Sequence, residues 1–162
     1  MRRILIFGNS GSGKSTLARA LCLKYTLAHL DLDTIAWLPS SPPSRKPLVD
    51  SQQDISIFIE SNESWVIEGC YSDLLEIAIA ESTEIIFMNL PVDACISNAR
   101  NRPWEPHKYA TRDAQDANLG MLIDWIGQYP ERKDTFSMAA HNELYEKYAG
   151  RKRMFTSNER NT

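Results

Sequence analysis

Residues 8–15 read Gly8-Asn9-Ser10-Gly11-Ser12-Gly13-Lys14-Ser15 and decide how the rest of the chain can fold. They fit the pattern G-x-x-x-x-G-K-[ST] completely. Residues 4–7 are apolar and predict a buried strand before the loop, and residues 14–25 carry apolar side chains at helical spacing after it. This context is typical of a loop that binds nucleotide phosphates. A glycine-rich turn with a solvated lysine is the weaker interpretation, because it leaves the flanking strand and helix unexplained.

Each position of this loop has a physical role in phosphate binding. Glycines let the backbone turn tightly, so that its N–H groups reach phosphate oxygens. The helix that follows directs the positive end of its dipole at the same anion. Lys14 would place its ammonium beside the β- and γ-phosphates, and the Ser15 hydroxyl would bind Mg²⁺. We therefore predict ATP and Mg²⁺ as cofactors, bound by Gly8, Ser10, Gly11, Ser12, Gly13, Lys14, Ser15 and Thr16.

The rest of the chain alternates short apolar runs with amphipathic ones. These runs predict strands at 4–7, 29–32, 65–67, 85–88 and 153–155, and helices at 14–25, 49–60, 94–102, 119–126 and 138–148. Strands separated by helices form a parallel sheet with helices on both faces, which is an α/β fold of three layers. Ligands bind beyond the carboxyl ends of such strands, so the loops after the first four strands are expected along one edge.

Length and composition indicate a single cytoplasmic domain spanning residues 1–162. Its 18 Lys and Arg against 21 Asp and Glu give a net charge of −3, which argues against broad electrostatic binding to DNA while leaving room for a local basic patch. Three cysteines without a CxxC pair predict reduced thiols. No apolar stretch is long enough to cross a bilayer, so we expect no membrane partner. The proline-rich residues 39–47 predict an exposed loop within the domain.

Three acidic side chains lie where predicted strands end. Glu68 follows the third strand and would organise the metal ion or its water, unless it is a solvated loop glutamate. Asp31 and Asp33 flank Leu32, and strand alternation directs both carboxylates to one side. One would take the proton of an acceptor hydroxyl while the other holds Mg²⁺-bound water. We prefer Asp31 as the catalytic residue because Asp33 could instead cap a helix from Thr34 onward, although the order could reverse.

Residues 99–112 form a basic stretch, broken by prolines, between two predicted helices, and this is typical of a mobile lid. Arginines that close over a transferring phosphoryl group stabilise its negative charge and exclude water. Arg102 and Arg112 are the predicted catalytic arginines, and Arg102 would also contact the nucleotide. The alternative is a solvated cationic loop. Aromatic residues near the acids could form the wall of an acceptor pocket or belong to the core: Trp37, Trp65 and Tyr71.

Several sequence blocks resemble a known group of proteins. GNSGSGKST (8–16), HLDLDTIAWLP (29–39), WVIEGCY (65–71) and IIFMNLP (85–91) are similar to the adenylate kinase-like P-loop proteins, and most of all to bacterial DNA topology modulation proteins. The resemblance extends over most of the chain. It implies a P-loop kinase fold with five parallel strands in the order 2-3-1-4-5, an acceptor-binding region near residues 33–64 and a short helical lid near 102–118. It also implies that residues 156–158 lie near the adenine.

Three positions depart from the pattern of that group. The stretch Glu68-Gly69-Cys70-Tyr71 replaces the usual Asp-Gly-Asn-Tyr, which keeps the charge on a longer side chain. Asn89 stands where an aspartate is usual, so it cannot be a charged partner of a metal ion. Two arginines four residues apart usually enter the lid in this group. Here the corresponding residues are Asn98 and Arg102, so Arg100 would have to compensate.

These observations leave two functions open. The first is a kinase that transfers the γ-phosphoryl group of ATP to a nucleotide, nucleoside or other small hydroxyl compound. The second is a nucleotide-binding regulator of the topology-modulation type, with weak or no transfer, that signals lid closure to a protein or DNA partner. Lys14, Ser15 and the paired aspartates favour the kinase, whereas Asn89 and Asn98 favour the regulator. We expect the kinase, as a monomer or homodimer with a small-molecule acceptor.

Overall fold

The computed structural model describes residues 1–159, which form five strands and six helices. The strands are β1 (Arg3–Gly8), β2 (Ala28–Asp31), β3 (Trp65–Gly69), β4 (Glu84–Met88) and β5 (Arg151–Phe155). The helices are α1 (Lys14–Tyr25), α2 (Leu48–Ser61), α3 (Ser72–Ile79), α4 (Val92–Arg100), α5 (Arg112–Gly127) and α6 (Met138–Lys147). A 3-10 turn at Leu32–Thr34 follows β2.

The five strands form one parallel sheet in the order β2-β3-β1-β4-β5. This confirms the predicted α/β class and the strand order that the resemblance implied. β1 lies at the centre and pairs with β3 on one side and β4 on the other. Because parallel strands run the same way, the loops after β1, β2, β3 and β4 meet at one edge, with the phosphate loop in the middle of it.

Helices cover both faces of the sheet and make it the middle of three layers. Leu5 and Phe7 of β1 face a core built with α2, α3 and α6. Ile4 and Ile6 face the opposite core, which is built with α1, α4 and α5. All four side chains are fully buried, and removing a side chain of this size from water contributes roughly 1.5–3 kcal/mol. Burial on both faces explains why the central strand is continuously apolar.

Helix α3 is absent from the sequence-based prediction. Its sequence, SDLLEIAI, is only eight residues long, which is shorter than the window over which helical periodicity is read. The structure packs it between the sheet and α2 and α6, with Leu74, Leu75 and Ala78 buried in one core. These residues follow helical spacing, but they are too few to predict a helix from the sequence.

The lid differs from its prediction. The sequence predicted the helix after the lid from residue 119, but α5 begins at Arg112 because the Thr111 hydroxyl accepts the N–H of Ala114 and caps it. Residues 101–111, which we call the lid segment, form no helix. The expected helical lid over 102–118 is therefore an irregular segment followed by the first two turns of α5.

Cys22, Cys70 and Cys95 form no disulfides. The loop at 39–47 is largely exposed, as predicted. In the described part of the chain, residues 1–159, no helix is both long enough and apolar enough to span a bilayer.

Replacing Gly11 with alanine tests how tightly the phosphate loop is packed. Gly11 has φ +76°, and a Cβ there would lie 2.4 Å from the Cys95 carbonyl oxygen. We expect Gly11→Ala to lower the free energy of unfolding by roughly 1–3 kcal/mol in urea denaturation. Gly120→Ala is the control, because a Cβ at Gly120 in α5 meets nothing within 4 Å and alanine favours helix. Equal stability of the Gly11 variant and the wild type would contradict this packing.

Candidate active site

The phosphate loop connects β1 to α1 and opens onto a cavity of about 580 Å³. Six of its predicted phosphate-binding residues line this cavity: Ser10, Gly11, Gly13, Lys14, Ser15 and Thr16. The other two, Gly8 and Ser12, are buried beneath the loop. Gly13 is the N-cap of α1 and provides no side-chain hydrogen bond. The first N–H groups of α1 are therefore left without a side-chain cap at a site that favours an anion.

Two polar side chains of the loop, Ser12 and Lys14, have different surroundings, and Lys14 is the one that lines the cavity. Ser12 Oγ is fully buried and has no hydrogen-bond partner among the described residues. Lys14 Nζ donates to the Asn9 carbonyl oxygen at 2.7 Å, so its ammonium stays against the loop. Asn9 Nδ2 in turn donates to the Ile126 carbonyl at 3.2 Å and joins the loop to α5. Backbone donors around a lysine ammonium are the arrangement that binds oligophosphates.

The lid segment forms the wall of the cavity that faces the loop residues. Its residues 101–108 line the cavity, and Arg102 is among them, with Nη1 3.3 Å from Glu105 Oε1. Arg112 does not line the cavity; it is exposed and its Nε lies 3.9 Å from Asp116 Oδ2 on the same helix. The structure thus brings Arg102, but not Arg112, to the site, and the catalytic role of Arg112 stays a prediction.

Asp33 is the aspartate of the predicted pair that lines the cavity. The Tyr71 hydroxyl donates to Asp33 Oδ1 at 2.5 Å, and the Trp37 indole N–H donates to the Tyr71 oxygen at 2.9 Å. Partial desolvation raises the pKa of Asp33, but the Lys108 ammonium and the Tyr71 hydroxyl outweigh it and hold the pKa below its ordinary value. Asp33 is therefore a fixed, ionised carboxylate at neutral pH.

Asp31 has a different environment although it is only two residues away. Its Oδ1 accepts the N–H of Asp33 at 2.9 Å and caps the 3-10 turn. Asp31 thus takes the capping role that the sequence had suggested for Asp33. Burial, followed by the negative charges of Glu68 and Asp33, raises the pKa of Asp31 to about 6. Of the two candidates, Asp33 has the better position to meet a substrate in the cavity.

Lys108 of the lid segment contacts both aspartates, and no sequence pattern singled it out. Its Nζ lies 3.1 Å from Asp33 Oδ2, 3.9 Å from Asp31 Oδ2 and 3.8 Å from Glu105 Oε2. Burial lowers the pKa of Lys108, but the three carboxylates raise it overall. One ammonium therefore holds the lid segment against the acidic end of the cavity. Lys108 and Asp33 are 75 positions apart in the chain, so sequence patterns do not show this contact.

Glu68 is buried at the end of β3, and it lines the cavity together with Ser15. Its Oε2 lies 3.2 Å from His29 Nε2. Within residues 1–159 no cluster of three or more His, Cys, Asp or Glu side chains is arranged to hold a metal ion. Mg²⁺ in nucleotide sites usually takes one or two protein oxygens and fills its shell with phosphates and water. One hydroxyl and one carboxylate on the same cavity are a donor set of that type.

Buried side chains that sequence reasoning left aside support the loop after β3. His141 Nε2–H donates to the Cys70 carbonyl at 2.8 Å, and the Tyr129 hydroxyl donates to His141 Nδ1 at 2.6 Å. Burial lowers the pKa of His141 to about 4, so the ring is neutral at physiological pH. The neutral ring can donate from one nitrogen and accept at the other, which holds Cys70, itself a cavity-lining residue, in place.

A pair of amides closes the end of the cavity beyond β5. Asn98 and Asn158 exchange hydrogen bonds of 2.9 and 3.1 Å, and Asn98 Nδ2 also lies 2.8 Å from the Gly11 carbonyl oxygen. Asn98, the residue that stands where the resemblance has an arginine, therefore joins the phosphate loop to the segment after β5. Asn158 lines the cavity, and the position of the adenine near residues 156–158 stays a prediction.

Comparison with known sequences gives a partial match. No family model matches the chain. Uncharacterized protein YqaC of Bacillus subtilis is 28% identical over 109 residues, which is 64% of this chain and 58% of YqaC. The match therefore spans less than two thirds of the length of that relative.

Comparison with solved structures concerns the fold. A sugar kinase from Janibacter sp. HTCC2649 matches with a TM-score of 0.58 and 11% identity, covering 99% of this chain and 87% of that one. Shikimate kinase from Bacteroides thetaiotaomicron matches with a TM-score of 0.52 and 16% identity over 99% and 89% of the two chains. Deoxyadenosine kinase from M. mycoides matches with a TM-score of 0.52 and 12% identity over 98% and 92%.

The chain shares its fold with these small kinases, and the loop after β1 carries the complete phosphate-loop motif. This confirms the fold that the resemblance implied. The kinase activity and the topology-modulation part stay predictions.

The raised pKa of Asp31 predicts a pH-dependent gain in stability when its charge is removed. Because the folded pKa of about 6 lies above the unfolded value, ionised Asp31 costs stability above pH 6, and the cost disappears below about pH 4. Asp31→Asn keeps an acceptor for the Asp33 N–H. We expect it to raise the free energy of unfolding by roughly 1–3 kcal/mol at pH 8 and to have little effect at pH 4.

Urea denaturation at several pH values measures this difference. Asp124→Asn on the exposed surface of α5 is the matched control and should show no such pH dependence. A lower free energy of unfolding for Asp31→Asn than for the wild type at pH 8 would contradict this prediction, because it would show that the ionised Asp31 carboxylate stabilises the fold.

Proposed function

We propose that this protein is an ATP-dependent small-molecule kinase that transfers the γ-phosphoryl group of ATP to a hydroxyl group of an acceptor. One observation carries the proposal: the phosphate loop, with Lys14, and the fixed carboxylate of Asp33 line the same cavity. A triphosphate bound at the loop would therefore direct its terminal group toward that carboxylate. The kinase folds of the structural relatives support the same reaction class.

The loop side of the cavity would bind the phosphates of ATP. Backbone N–H groups of the loop and the amino end of α1 would donate to phosphate oxygens, and Lys14 would exchange the Asn9 carbonyl for a phosphate. Ser15 and Glu68 would hold Mg²⁺, directly or through water. When bound, that ion neutralises phosphate charge and orients the phosphates for transfer. Arg102 would release Glu105 and contact the transferring group, whose negative charge it stabilises.

Asp33 would orient the attacking hydroxyl. Tyr71 holds one oxygen of the carboxylate, and the other oxygen, which now contacts Lys108, would accept the hydrogen bond of the acceptor. Phosphoryl transfer has a loose transition state, so positioning contributes more than strong deprotonation. The acceptor oxygen forms a bond to the γ-phosphorus as the bond to the bridging oxygen breaks. ADP leaves, and the proton passes to Asp33 and then to solvent.

A nucleotide-binding regulator with weak or no transfer, of the topology-modulation type, is the second candidate. Lys108 occupies the free oxygen of Asp33, and Asn98 replaces a lid arginine by holding the phosphate loop. Both features would slow transfer without weakening nucleotide binding. In this function, lid closure over a bound nucleotide would be the signal to a partner.

Asp33→Asn tests the kinase proposal. We expect the variant to lose acceptor-stimulated transfer from radiolabelled ATP by roughly 10²-fold or more, because an amide orients the attacking hydroxyl less strongly than a carboxylate and cannot take its proton. Its affinity for Mg²⁺ and ATP, measured by calorimetry, should change little, because Asp33 is placed at the acceptor and not at the phosphates. Lys14→Ala should weaken ATP binding instead.

Two exposed residues outside the cavity provide control variants for this experiment. Asp124→Asn and Lys133→Ala change exposed side chains that do not line the cavity and should behave like the wild type. ATP binding without acceptor-stimulated transfer would favour the regulator, and salt-sensitive binding to DNA would then support its topology role.

A further inference from the structure

We propose that the acceptor is a hydroxyl compound without an anionic group, either neutral or bearing an ammonium, and that Lys108 determines this specificity. The inference rests on the proposed kinase function and concerns the acceptor end of the same cavity. It excludes nucleoside monophosphates and carboxylate-bearing alcohols as preferred acceptors.

The cationic side chains at the phosphate-loop end of the cavity would pair with the bound nucleotide. Lys14 belongs to the phosphate loop, and Arg19 follows one turn later on α1. Arg102 contacts Glu105 and would move to the transferring phosphoryl group. A triphosphate carries several negative charges, and within residues 1–159 these three are the Lys and Arg side chains that line the cavity besides Lys108. Paired with the triphosphate, they would not neutralise a second anion at the acceptor end.

The acceptor end is acidic. Asp33 and Glu105 line it, and Asp31 lies within 3.9 Å of the same lysine. An acceptor phosphate or carboxylate placed beside Asp33 would meet like charges in a partly desolvated cavity, where repulsion is strong. A hydroxyl group instead finds an acceptor for its hydrogen bond in Asp33. The charges therefore favour a neutral or cationic molecule.

Arg45 lies close to Tyr71, the partner of Asp33, and a free cation there could bind an anionic acceptor. Its Nη2 lies 3.1 and 3.3 Å from the two carboxylate oxygens of Asp73, and its guanidinium packs against the Tyr71 and Phe136 rings. Arg45 does not line the cavity. The positive charge of Arg45 is paired with Asp73 behind the cavity wall, so it would not contact an acceptor.

Lys108 shows that the acidic end binds an ammonium. Three carboxylates, Asp31, Asp33 and Glu105, lie within 3.9 Å of its Nζ. Lys108 belongs to the lid segment, so a neutral acceptor would reach Asp33 as the lid moves and the lysine partly withdraws. An acceptor with its own ammonium would replace the Lys108 ammonium among the same carboxylates. Lys108 is therefore a specificity-determining residue that competes with cationic acceptors.

Matched acceptors test the substrate class. Transfer from radiolabelled ATP is measured for nucleosides against their monophosphates, and for glucose against glucose 6-phosphate and glucosamine. We expect the members without an anionic group to have kcat/KM at least about ten-fold higher than their anionic counterparts. Preference for the phosphorylated members would overturn this inference and leave the kinase function standing. Transfer to no member of the panel would overturn the kinase function and the inference together.

Variants of Lys108 test the specificity role. Lys108→Gln removes the internal ammonium, so we expect the ratio of kcat/KM for glucosamine over glucose to rise about ten-fold. Lys108→Arg keeps the charge and should leave the ratio near the wild-type value, as should the exposed control Lys133→Gln. The ratio compares two acceptors on one variant, so a general loss of stability does not move it. An unchanged ratio in Lys108→Gln, or improved use of anionic acceptors, would overturn the role of Lys108.

Discussion

The close approach of the phosphate loop to the backbone of its neighbours is the constraint on which the site depends. A Cβ at Gly8 would lie 2.4 Å from the Met88 carbonyl oxygen, and one at Gly11 would lie 2.4 Å from that of Cys95. Only glycine lets the loop rest directly on the ends of β4 and α4. This packing fixes the loop at the centre of the sheet edge, where its N–H groups, α1 and the Lys14 ammonium converge on one volume.

The acidic side of that volume shows how two similar residues acquire different roles. Asp31 and Asp33 are two positions apart, yet the pKa of Asp31 is raised to about 6 while that of Asp33 is lowered. Asp31 is partly buried near Glu68, whereas Asp33 receives the Tyr71 hydroxyl and the Lys108 ammonium. Environments that separate the pKa values of neighbouring carboxylates are a common basis for dividing chemical roles in an enzyme. Here the division makes Asp31 a capping residue and Asp33 the carboxylate that faces a substrate.

The parts of the fold that sequence patterns predicted are those with a strong local signal. The strands at the centre of the sheet are continuously apolar, α1 follows a complete phosphate-loop motif, and the proline-rich loop is exposed. Helix α3 escaped prediction because its eight residues are too few to show a clear periodicity, and α5 begins at Arg112, where Thr111 provides a cap, before the apolar residues that indicated it. Short helices and helix ends contain few apolar residues, so apolar periodicity shows them poorly.

By itself, the sequence determined the α/β class, the phosphate loop and the presence of acids at the strand ends, because each follows from residues that are adjacent in the chain. The tertiary structure decided which acid meets the cavity, placed Lys108 between the carboxylates and kept Arg112 outside. It also joined Asn98 to Gly11 and Asn158. These contacts connect residues separated by 60 to 87 positions, and their geometry is set by the packing of the sheet and its helices. Folding therefore sets the charge balance of the site, on which the proposed choice of acceptor depends.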